Sequence, residues 1–141
     1  MEPTDPVGFS AYAASSATYS WIDFIQFNET LTNVGGAYNH THSIFTCPYT
    51  GLYAFQVHLM TEPGDEAPAR FMKNGYAQIG LRVDDLSEQV DAMRNSASTS
   101  MIIECNAGDV MWVQANALAT IYSSQDNKES SFSGFLIARY E

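Results

Sequence analysis

The stretch from Asn39 to Phe55, NHTHSIFTCPYTGLYAF, offers two chemistries at once. His40, His42 and Cys47 are the donor types of a zinc site, while IFTC and GLYAF are short β-prone runs separated by the turn residues Pro48 to Gly51. Along an extended strand His40 and His42 share a side, and Phe45 and Cys47 point to the other. The cysteine cannot join the histidines without a bulge at Ser43. A mononuclear zinc site also wants a third or fourth protein ligand, and no spacing brings His58, the remaining histidine, nearby. The segment therefore reads as framework, with its aromatic residues facing a core and its histidines in a solvated turn.

Working outward, apolar runs recur between clusters of Gly, Asn, Ser and Pro, and helical periodicity is almost absent. VGFSAYA (7–13), WIDFIQF (21–27), IFTC and LYAFQVHLM each read as strands. RFMKNGYAQIGLRV carries Asn74-Gly75, the dipeptide that adopts the positive φ angles of a tight hairpin turn. Residues 84–100 are polar and acidic and read as a loop entering a strand near Ser100, followed by MIIE, VMWVQANAL and the closing FSGFLIARY. This is the pattern of an all-β sandwich in one domain, with residues 1–6 as a tail and 7–141 as the globular unit.

LYAFQVHLM, VMWVQANAL and FSGFLIARY carry apolar residues at both parities, whereas a sheet with one wet face should alternate. Leaving each large side chain in water forgoes about 1.5–3 kcal/mol of burial. A symmetric oligomer is the simplest cover, and Leu52, Ala54, Gln56, His58, Trp112 and Phe135 are the candidates for interface or core.

The 141 residues hold 6 Lys and Arg against 16 Asp and Glu, a net charge of −10. That sign repels nucleic acid and anionic lipid and leaves cations, basic proteins and neutral sugars open. The start MEPTDPVGF has neither a basic nor an apolar targeting region, which fits a cytosolic chain or a mature domain equally. Cys47 and Cys105 share parity with core-facing neighbours and read as buried, whether as thiols or as a disulfide. No Ser-His-Asp spacing, phosphate-cradling glycine loop, HExxH or CxxC is present, so the chain reads as non-catalytic. Asp84, Asp85, Glu88 and Asp91 are hard oxygen ligands on one loop and form the candidate calcium site, or else a solvated acidic loop. Asn28-Glu29-Thr30 and Asn39-His40-Thr41 fit the N-glycosylation pattern, which matters in a secreted chain.

Taken as one string, QFNETLTNVGGAYNHTHSIFTCPYTGLYAF resembles the globular head of the complement C1q family. The residues that carry it are Phe27, Asn33, Gly35, Tyr38, Asn39, Phe45 to Pro48, Gly51, Tyr53 and Phe55. The likeness continues in order through VGFSAYA, FMKNG, Gly108-Asp109-Val110 with Trp112-Val113, and SSFSGFLI. It departs where the family usually has Gly at Ser43, Pro at His40 and Leu at Cys105, and the family's collagen stalk is absent. The resemblance implies a jelly roll of about ten strands in two sheets, shared with tumour necrosis factor, and assembly as a trimer. It further implies a secreted, extracellular recognition module for carbohydrate or microbial surface ligands in innate immunity, with a cytokine-like ligand for a cell-surface receptor as the alternative. Calcium is bound by some members near the trimer apex. An anionic sugar would have to use one of the few cations, Arg70, Lys73, Arg82 or Arg94, or a bridging calcium.

Overall fold

The computed structural model describes residues 5–84 and 94–140, and these contain strands and no helix. The strands are β1 (Gly8–Tyr12), β2 (Ala17–Tyr19), β3 (Glu29–Val34), β4 (Tyr38–Asn39), β5 (Ile44–Thr46), β6 (Gly51–Thr61), β7 (Ala67–Lys73), β8 (Tyr76–Val83), β9 (Asn95–Cys105), β10 (Val110–Ala115), β11 (Ala119–Ile121) and β12 (Ser131–Arg139). Ten of them form two five-stranded sheets, in the orders β3-β1-β12-β6-β9 and β4-β5-β10-β7-β8, and β2 with β11 makes a small ribbon. Every pairing is antiparallel.

β6 shows how the sequence builds this sandwich. Its alternation sends Tyr53, Phe55, Val57 and Leu59 inward, all buried, and leaves Leu52, Ala54, Gln56 and His58 on the outer face. The inward residues meet Phe45, Phe71, Val113 and Phe132 in one apolar cluster between the sheets. Phe9 stacks on Tyr38 at 4.5 Å between ring centroids and meets Phe132 edge-on at 5.0 Å, the offset and T-shaped arrangements that aromatic quadrupoles favour. Gly134 makes room for them, because a Cβ there would stand 2.5 Å from Phe55 Cδ1 and 3.0 Å from Phe9 Cε1. The buried phenols keep partners: the Tyr38 hydroxyl donates to the Phe27 carbonyl at 2.7 Å and Tyr53 to the Tyr49 carbonyl at 2.6 Å. Burial pushes the Tyr53 hydroxyl up to about 12, so it remains a donor at neutral pH.

The turn between β4 and β5 holds Ser43 in the left-handed region at φ 59°, where glycine is at ease and serine is not. Its hydroxyl offsets that cost by accepting from the Phe27 N–H at 2.8 Å and donating to Gln26 Oε1 at 3.3 Å. Serine thus fills a position at which the C1q pattern has Gly, and uses its side chain to do so.

Three local expectations are corrected. Residues 21–27 are not a strand: Ile22 takes φ 67°, and the segment touches the second sheet through an isolated bridge from Phe24 to Gln114. β9 begins at Asn95 rather than near Ser100, because β6 pairs with it along the whole run from Thr61–Asn95 to Gly51–Cys105. VMWVQANAL breaks after Ala115, and Ala119–Ile121 turns away to pair with β2.

Candidate functional site

The outer face of the first sheet gathers five of the six interface candidates. The register places Ile102 of β9, Ala54 of β6 and Phe135 of β12 in one row, with Leu52 opposite Glu104 on the next row outward. Phe135 is 54% exposed and Ile102 67% exposed, so this row is greasy and uncovered within the chain. The next rows are small and hydroxylated: Ser100, Gln56, Ser133 and Ser10, then Ser98, His58 and Ser131. A shallow concavity of about 550 Å³ lies over them, lined by Ala54, Gln56, Ser100, Ile102, Ser133 and Phe135. Its floor has no ionised side chain. His58 Nδ1 bonds the Glu129 carbonyl at 2.6 Å, which anchors the 122–130 loop to this face.

Trp112 stands apart from that set. It sits half-buried on the outer side of the second sheet, under Phe24, with ring centroids 4.6 Å apart and planes 15° from parallel. Its indole N–H donates to Gln114 Oε1 at 3.1 Å. The second apolar face of β10 is therefore covered by the chain's own 21–26 segment and calls for no second copy there.

The four candidate cations do not converge. Lys73 lies where β7 ends, 3.6 Å from Asp109 and 3.1 Å from the Glu104 carbonyl. Arg82 contacts Asp84 at 2.5 Å and Glu66 at 3.6 Å. Arg94 reaches Glu62 at 3.1 Å and covers the Tyr122 ring at 4.0 Å. Arg70 is exposed on the second sheet's outer side, with no ion pair among the described residues. Three of the four are thus already engaged with carboxylates of the same chain.

The acidic candidates divide in the same way. Asp84 is exposed and tied to Arg82, whereas Asp85, Glu88 and Asp91 lie outside the described residues. Among the described residues no three His, Cys, Asp or Glu side chains gather closely enough to hold a metal ion. His40 and His42 are exposed in the turn before β5, and Cys47 is buried beyond it, as strand parity requires.

Cys47 and Cys105 are both buried free thiols, brought together at the end of the sandwich where β5 and β9 finish. A hydrogen bond to Cys105, reinforced by burial, drives the Cys47 thiol well above the usual range. Of the two states open to the pair, this structure has the thiols.

Strand register places the loops 62–66, 116–118 and 122–130 at one end, together with Asp23, Asp84 and Arg94. Glu62, Asp65, Glu66, Asp84, Asp126 and Glu129 make that end acidic. Sequence reasoning missed one feature here: Trp21, 67% exposed, and Ile22 stand on a turn pinned by Ile22 N–H to the Ala115 carbonyl and Ala115 N–H to the Asp23 carbonyl, both at 2.9 Å. The signal was present in the sequence as Trp-Ile-Asp, but a strand assignment hid it.

Two five-stranded antiparallel sheets in these orders, enclosing one aromatic core, define a jelly-roll domain of the C1q and tumour necrosis factor type. The chain belongs to the C1q domain family, whose model matches residues 8–137. It is 34% identical over 115 residues to the mouse collagen alpha-1(X) chain, covering 81% of this chain and 16% of that protein. It is 28% identical over 136 residues to mouse multimerin-2, covering 96% of this chain and 13% of that protein. A complement C1q subcomponent from Rattus norvegicus is 26% identical over 113 residues, covering 80% of this chain and 43% of that protein. The chain therefore spans less than half the length of these relatives. Among solved structures, the globular domain of zebrafish complement 1qA superposes with a TM-score of 0.77 at 20% identity, covering 95% of this chain and 99% of that one. Eiger TNF from S. frugiperda gives the same TM-score at 11% identity, covering 98% and 96%.

Proposed function

We propose that this domain is a secreted, non-catalytic recognition module that works as a homotrimer and binds neutral carbohydrate on microbial or other surfaces. One observation carries the assembly: the uncovered row Ile102, Ala54 and Phe135 on the outer face of the first sheet. Burying each of the two large side chains against another copy recovers about 1.5–3 kcal/mol. A face of one kind on a single chain is satisfied by rotational symmetry, and the relatives with a C1q domain support a threefold one. Extracellular residence is supported by the same relatives, a collagen chain and a complement subcomponent.

The ligand class follows from charge. Arg82, Arg94 and Lys73 are neutralised by Asp84, Glu62 and Asp109, and the loop end is acidic, so an anionic sugar meets repulsion while a neutral sugar does not. Exposed connections held on a rigid sandwich are the usual carriers of contacts, and three copies on one body raise the effective concentration at a repetitive surface. Calcium is the candidate bridging ion of the acidic stretch, of which Asp84 is the described member, and the chelator arm below tests its part in binding.

A glycan array probed with and without a chelator tests the reading. Retention on neutral glycans in both conditions supports it. No retention in either condition overturns it and favours the cytokine-like alternative, a trimeric ligand to be sought by capture of a cell-surface receptor.

A further inference from the structure

N-linked glycosylation takes an asparagine with a hydroxyl residue two places on, and the folded chain has to leave that asparagine in water to carry the sugar. The fold gives both Asn-X-Thr triplets the same disposition. Asn28 is exposed just before β3, and its Oδ1 accepts from the Ala14 N–H at 3.3 Å. Asn39 is exposed at the end of β4, and its Oδ1 accepts from the N–H groups of Thr41 at 3.0 Å and His42 at 3.2 Å. In each case the oxygen fixes the side chain to the backbone while Nδ2 has no partner among the described residues.

Their location is as informative as their exposure. β3 is the outermost strand of the first sheet and β4 the outermost strand of the second. The two are joined by residues 35–37 and clamped by Asn33, whose Nδ2 donates to the Tyr38 carbonyl at 2.8 Å and whose Oδ1 accepts from the Tyr38 N–H at 3.3 Å. Among the described residues both sheets therefore end on this one side of the sandwich in a strand with an unpaired edge, a template for unwanted pairing with another chain. The apolar row of Ile102, Ala54 and Phe135 continues through Gly8 to Val34, at the end of β3 opposite to the one that Asn28 precedes.

We propose that Asn28 and Asn39 both carry N-linked glycans, and that the sugars screen the β3 and β4 edges while leaving the apolar face of the first sheet free to assemble. In the transfer Nδ2 forms a bond to C1 of the first N-acetylglucosamine of a lipid-pyrophosphate-linked oligosaccharide. The bond from that carbon to the pyrophosphate oxygen breaks, the lipid pyrophosphate leaves with the electron pair, and the amide nitrogen gives up one proton. This inference rests on the secreted reading only in needing passage through a secretory lumen.

The test supplies that passage. The chain is expressed behind a foreign signal peptide in cultured eukaryotic cells, treated with peptide N-glycosidase in heavy-oxygen water, and mapped by mass spectrometry. Both asparagines are expected to convert to labelled aspartate. Thr30→Ala and Thr41→Ala should each remove one glycan and leave the β-sheet circular dichroism unchanged, and the double variant should form species larger than the wild-type assembly at equal concentration. A folded, secreted chain with Asn28 or Asn39 unmodified overturns the proposal at that position, and a glycan-free double variant of unchanged size overturns the screening role. An empty glycan array would overturn the lectin reading without altering either result.

Discussion

Phe24 lies flat on Trp112, 4.6 Å from centroid to centroid, and so closes the outer side of β10 with a residue that belongs to no strand. The contact joins the 20–28 segment to the second sheet, together with the Ile25 N–H bond to the Val113 carbonyl at 2.8 Å. Stacked aromatic pairs contribute about 0.5–1.5 kcal/mol beyond the area they bury.

Phe24→Ala should therefore destabilise the domain by about 1–3 kcal/mol, as stacking and half-buried area are lost together. The chain has two tryptophans, and Trp21 is mostly exposed, so the experiment is cleanest in a Trp21→Phe background. There the emission of Trp112 should shift to the red in the folded Phe24→Ala variant. An unshifted spectrum would mean that the ring is not what shields the indole.

Gly134→Ala places a methyl group 2.5 Å from Phe55 Cδ1 and 3.0 Å from Phe9 Cε1, in a core with no space to yield. Overpacking of this kind costs about 1–3 kcal/mol. The midpoint of urea unfolding should fall with little change in slope. Ser133→Ala, on the exposed side of the same strand, should leave the midpoint near the wild-type value.

Asp109 sits in a turn where burial would raise its carboxyl, but Asn74 Nδ2 at 2.9 Å, the Asn106 N–H at 2.8 Å and the Lys73 ammonium outweigh that and lower it below 3.8. A depressed acid stabilises the fold at every pH above its unfolded value, and that contribution disappears as the pH falls through the lower folded value. Unfolding followed from pH 7 down to pH 2 should show the wild type converging on Asp109→Asn below about pH 3.8. A constant gap between the two down to pH 2 would contradict the assignment.

Where sequence and structure agree, the agreement traces to side chains whose direction is set by strand parity. Tyr53, Phe55, Val57 and Leu59 alternate with Leu52, Ala54, Gln56 and His58, so the inner and outer faces of β6 were legible, as was the burial of Cys47 and Cys105. Apolar residues at both parities of FSGFLIARY pointed to an uncovered face, and Phe135 is on it. Which of interface or core Trp112 serves could not be read from parity, because nothing local to VMWVQ tells that Phe24 covers it. Asn95 to Thr99 could not be read as strand for a related reason: NSAST has no apolar side, and it is the length of β6 opposite that extends it. The pairing of Lys73, Arg82 and Arg94 could not be read, because a charge's partner is a tertiary fact. Arg94 meets Glu62 and Arg82 meets Glu66 across loops that no spacing rule connects.

Copies of this chain are proposed to meet through the Ile102, Ala54 and Phe135 row. Sedimentation equilibrium of the wild type beside Phe135→Glu weighs that directly, since the glutamate should leave the exposed side of β12 folded and charge the row. The wild type should sediment at three times its 15.6 kDa chain mass and the folded variant at one. A wild type that stays at the mass of a single chain from low to high concentration would contradict it.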